Sequence, residues 1–101
     1  ADDLTRDDRE GAIAAYLLET KRPALLAVHL IGTDHFQHAE GRGGPMVRRA
    51  VAAVDRAVGQ IVEAAARAGI LDRTAFVITG DHGFVNTQTR VHPNVWLAAA
   101  G

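Results

Sequence analysis

The run from Met46 to Ala68 limits the possible folds of this chain more than any other stretch. Val47, Val51, Val54, Val58, Ile61, Val62 and Ala65 recur at helical spacing, while Arg48, Asp55, Arg56, Glu63 and Arg67 are largely kept off that stripe. Pro45 suits a first helical turn and Gly69 suits the position just past the helix end. On either side lie two short apolar runs with β-branched residues, "ALLAVHLI" (24–31) and "TAFVITG" (74–80), which read as buried strands. Strand, long helix, strand implies a parallel pair joined by a right-handed crossover. The predicted fold class is therefore α/β.

The flanking segments complete the expected order. "TRDDREGAIAAYLLETKRP" predicts a helix capped by Thr5 or Asp7, with Ile13, Tyr16 and Leu17 as its apolar face and Pro23 as its stop. "GTDHFQHAEG" and "EGRGGP" read as one glycine-rich polar loop. Asp72 and Arg73 make a turn, and "PNVWLAAAG" predicts a short helix starting near Pro93, with Trp96 in packing.

With 101 residues, 48% of them hydrophobic, the chain is expected to be one segment without an internal boundary. Its opening "ADDLTRDD", which lacks a methionine, suggests a piece of a larger domain. No apolar run approaches the roughly 20 residues of a membrane span. A net charge of −1 offers no basic field for nucleic acid. The absence of cysteine removes thiolate metal sites, disulfides and thiol nucleophiles, and assigns no compartment.

Two motifs carry chemistry. Asp34-x-x-x-His38 follows the first predicted strand, and Asp81-His82-Gly83 follows the second. In an open parallel sheet ligands bind beyond the carboxyl ends of the strands, so both motifs should share one edge. Two carboxylates and two imidazoles suit Zn²⁺, Mn²⁺ or Fe better than Ca²⁺ or Mg²⁺. Four ligands are too many for one open catalytic zinc and too few for two, so the set reads as most of a two-metal site. Gly83 fits a sharp turn beside the metal. His35 and His92 are assigned to the surroundings of the site, and His29 to a hydrogen-bonded core position.

At these residues the sequence resembles the alkaline phosphatase superfamily, and within it the type I phosphodiesterase / nucleotide pyrophosphatase branch. "DHFQH", the long helix, "VITGDHGF" and the closing "HPNVWLAAAG", which is similar to bacterial members, carry the resemblance over roughly residues 20–101. It implies a phosphoester hydrolase with two divalent metal ions, most simply zinc, on a three-layer α/β/α sandwich. Asp34 and His38 would bind one metal with a distant C-terminal histidine. Asp81 and His82 would bind the other, with an N-terminal aspartate and a nucleophilic threonine or serine. Gln37 stands where the family often has glycine, and Gly80 where serine or alanine is commoner.

No stretch before Asp34 matches the nucleophile motif, and no histidine follows His92. The segment alone is therefore expected to be inactive, to bind metal weakly and to self-associate through exposed edges. Phosphomutases and sulfatases of the same superfamily are the alternative reactions. A non-catalytic, self-associating α/β module is the alternative of another class.

Overall fold

The computed structural model describes residues 3–101. Four helices follow in order: α1 (Asp3–Lys21), α2 (Gly32–Glu40), α3 (Pro45–Arg67) and α4 (Pro93–Ala100), with one 3₁₀ turn at Leu71–Arg73. Among the described residues there is no strand and no sheet. The α/β expectation is therefore overturned.

The physical reason lies in what a strand needs. A helix satisfies its backbone within one segment, whereas a strand needs a neighbour for its N–H and C=O groups. β-branched residues favour strands through packing on a pleated, half-buried surface. Residues 24–31 and 74–80 find no ladder partner among the described residues, and neither run is helical. Leu25, Val28, Val77 and Ile78, all apolar residues that the sequence placed in buried strands, are exposed. His29 is exposed too, against its expected core position.

The long helix is where the sequence put it, to within one residue at each end. Its stop follows the expected chemistry. Gly69 takes φ 68° just past the end, and the Ile70 amide donates to the Ala65 carbonyl at 3.0 Å. Ile70 then packs on the cluster of Ala15, Leu18 and Ala64.

The buried stripe of α3 is rotated from the expected one. Val47, Ala50, Ala53, Ala57, Ala64 and Ala65 are buried, whereas Val51 is 55% exposed. Small residues of this stripe meet α1 closely, and Ala64 packs with Ala15 and Leu18. A Cβ added to Gly11 of α1 would stand 2.8 Å from the Ala57 Cβ. Val54, Val58 and Ile61 instead line an open cleft together with residues of both coil segments. Thus α3 carries two apolar faces, one closed by α1 and one more open, with Ile61 at their border because it also packs on the Ala15, Leu18 and Ala64 cluster.

Helix α1 is rotated as well. Ala14, Ala15 and Leu18 are buried, while Ile13 and Tyr16 point outward. Thr5 and Asp7 lie inside the helix and not at its start. Arg22 sits at φ 46° past the end of α1, and its amide donates to the Leu17 carbonyl at 3.2 Å. Pro23 follows, as expected of a helix stop. An Arg67–Glu19 pair joins the ends of α1 and α3, with Nε and Nη2 at 2.9 and 2.6 Å from one carboxylate oxygen.

Helix α4 begins at Pro93 as expected but packs against no other helix among the described residues. Trp96 is exposed and so has no packing role among the described residues. The Cα radius of gyration is 18.7 Å, well above the ~13 Å of a compact chain of about 100 residues. No helix of the described residues is long and apolar enough to cross a membrane.

Candidate functional site

The stretch 32–41, expected as a loop, is helical through Glu40. That changes the meaning of Asp34-x-x-x-His38. Residues four apart share a helix face, and Asp34 Oδ1 lies 3.6 Å from His38 Nε2. Asp34 in the first turn also suits the positive end of α2.

The second motif arrives on coil. His82 Nε2 lies 3.4 Å from Asp34 Oδ1 and 3.6 Å from Asp81 Oδ2. The Asp81 carboxylate also accepts the His82 amide at 3.1 Å. His82 Nδ1 is 3.1 Å from the Gly83 carbonyl. When Nδ1 carries the proton and donates to that carbonyl, Nε2 keeps its lone pair toward the two carboxylates. The structure therefore brings Asp34, His38, Asp81 and His82 into one cluster, without the sheet edge that was to do so.

Three residues that the sequence analysis gave no part in the site stand beside the cluster or beside the elements that carry it. Phe84 sits edge-on to His38, with centroids 4.8 Å apart, and tilted against His82 at 5.3 Å. Asn86 Oδ1 accepts the Arg42 amide at 2.9 Å, tying the coil after His82 to the turn between α2 and α3. Gly41 takes φ 78° there, and a Cβ on it would meet Asn86 Oδ1 at 2.9 Å. Asp7 is the third. It is fully buried, and its carboxylate accepts the Ile31 and Gly32 amides at the head of α2, both at 2.9 Å. Only Phe84 left a signal in the sequence, as an apolar residue two places after His82.

Glu40, which no motif claimed, accepts the Met46 amide at 2.9 Å and so caps α3 from outside. The remaining candidates fall away from the centre. His35 is exposed on α2 and stacks edge-on with Phe36. A Cβ added to Gly83 would meet nothing within 4 Å, so no steric need for glycine supports the turn role given to it. His92 stands at the start of α4 and lines neither cleft. The two clefts meet at Gln37, His82 and Phe84, which line both.

The donor types and their spacing bear on whether a metal ion fits here. Two ligands about 2.0–2.1 Å from one tetrahedral ion stand about 3.4 Å apart. The imidazole–carboxylate separations of 3.4–3.6 Å match that pairwise distance. Among the described residues, however, no group of three or more His, Cys, Asp or Glu is arranged to hold a metal ion. The side chains are also half-exposed or more, from 48% at Asp34 to 82% at Asp81. The chemistry and the pairs fit a divalent metal, and a complete shell is not assembled.

Carboxylates and imidazoles from a short helix and the coil facing it thus converge at one place. Residues 2–101 match the type I phosphodiesterase / nucleotide pyrophosphatase family, and the chain belongs to that family. Among curated proteins it is similar to the human ectonucleotide pyrophosphatase/phosphodiesterase family member 7, at 30% identity over 102 residues. That similarity takes in 86% of this chain and 22% of the relative, so the chain spans about a fifth of the relative's length. No solved structure matches it.

Proposed function

We propose that the full-length protein is a metal-dependent phosphoester hydrolase in which Asp34, His38, Asp81 and His82 are metal ligands. The observation that carries this reading is the convergence of the two motifs. Residues more than forty apart in sequence come within 3.4 Å at Asp34 and His82, in a chain of phosphodiesterase family. The substrate class is a phosphate mono- or diester, and zinc is the first choice of metal, with manganese or iron next.

Divalent ions held by these residues would supply Lewis-acid stabilisation of the charge that builds on the phosphoryl oxygens. The chain's own groups have separate tasks. Asp34 and His38 present an oxygen and a nitrogen from one rigid helix face. Asp81 and His82 bring the same pair of donors from the coil. Phe84, in ring contact with both imidazoles, would limit their rotation. The nucleophile is assigned to a part of the protein beyond these 101 residues, which form one segment of a single larger domain.

The test uses the full-length protein. Release of nitrophenol from mono- and diester substrates is measured before and after chelator, then after return of Zn²⁺ or Mn²⁺. Activity that is lost and restored supports the proposal. Chelator-insensitive activity, or none with any metal, sinks it.

A further inference from the structure

We infer that Asp7 is a positioning residue for the Asp34–His38 ligand pair, acting through the first turn of α2. The inference rests on the metal reading above and goes beyond it, because Asp7 belongs to neither motif.

Asp7 lies within α1, on the face that packs toward α3 and α2, and it is fully buried. Among the described residues it is the one buried charged side chain. Burying a carboxylate costs several kcal/mol unless hydrogen bonds replace its water. Here the replacement is complete on two sides. Oδ1 accepts the Ile31 amide and Oδ2 accepts the Gly32 amide, each at 2.9 Å. These are amides at the head of α2, which has no cap from its own N-cap side chain. A negative charge from a neighbouring helix thus does the work that Ser, Asp or Asn does locally elsewhere.

The consequence is geometric. Two fixed amides define where α2 begins and how it is rotated about its axis. Asp34 follows Gly32 by two residues, and His38 follows Asp34 by one turn. The 3.4 Å approach of His82 Nε2 to Asp34 Oδ1 therefore depends on where Asp7 holds the helix start. Asparagine keeps the shape and loses the match, because its NH₂ would face one of the two donors.

The experiment uses the full-length protein with Co²⁺ as a spectroscopic probe. In D7N, Co²⁺ affinity is expected to fall at least about tenfold, the cost typical of a lost supporting partner, with a changed visible absorption band. Amide exchange at residues 31–35 should rise while that of Ala50–Ala57 stays slow. E19Q, which weakens the α1–α3 contact without touching α2, should leave the Co²⁺ spectrum unchanged. Wild-type affinity and spectrum in D7N overturn this inference alone. A wild type that binds no Co²⁺, with D34A no different from it, overturns the metal reading and this inference together. Should D7N fail to fold, the native protein gives the answer. Ile31 and Gly32 amides protected like those of Ala50–Ala57 support the inference, and exchange at the rate of an exposed peptide overturns it.

Discussion

The two faces of α3 solve the same problem in opposite ways. Toward α1 the helix presents Ala57, beside Gly11, and Ala64, beside Ala15 and Leu18, both fully buried. Toward the coil segments it presents Val54, Val58 and Ile61, which line an open cleft. Val47 apart, the larger and more hydrophobic side chains of α3 are the less buried ones. Burial thus follows from what stands opposite, and not from the hydrophobicity of the side chain alone. The alanine face has a partner that can approach closely because Gly11 leaves room for Ala57. The valine face looks at backbone that is neither helical nor paired. Burial is concentrated on the first side and the candidate chemistry on the second.

That division can be broken by experiment. The largest effect is expected at the open side. Asp81→Ala in the full-length protein should lower the phosphoesterase rate by at least about 100-fold, since loss even of a supporting partner costs metal sites about 10–100-fold. Its unfolding midpoint should barely move, because the Asp81 side chain is 82% exposed. A rate within a few-fold of wild type would remove Asp81 from the site.

The next effect belongs to the closed side. Ala57→Leu forces extra methyl groups into a seam that leaves no room for a Cβ on Gly11. Overpacking of this kind costs roughly 1–3 kcal/mol, read as a lower urea midpoint at unchanged slope. A neutral result would show that the seam is looser than its geometry. Glu40→Ala should cost about 1 kcal/mol by the same measurement, because it frees the capped Met46 amide.

Smaller effects sharpen the comparison. Glu19→Gln should cost only ~0.2–1 kcal/mol, since the pair with Arg67 is partly exposed on both sides. Val77→Ser in the 101-residue chain should change stability by no more than about 0.5 kcal/mol, as expected of an exposed position. A loss well above that would mean that the open face is covered in solution.

Much of the helical part was legible in the sequence, for a local reason. A helix closes its hydrogen bonds within itself, so a periodic stripe, a proline at the start and a glycine at the stop specify α3 without help. Gly69 and Pro93 did what their types predict. The four candidate ligands were legible as well, because Asp-x-x-x-His and Asp-His are local patterns of donor atoms. Their route into one cluster was not. The expected route was a parallel sheet, and the observed one is a capped helix facing a coil held by Asn86 and Phe84.

What the sequence determined by itself, then, is the long helix, its ends and the residue types that meet in the candidate site. Only the tertiary structure decided that the alanines are the buried stripe of α3, that Asp7 caps α2 from another helix, and that His82 meets Asp34. Each of these depends on which surface stands opposite. Hydrogen bonds between residues some 25 apart, such as Asp7 to Ile31 and Gly32, leave no local periodicity to read. The two β-branched runs teach the same lesson in reverse, because strand propensity is a preference for a neighbour, and a neighbour is a tertiary fact.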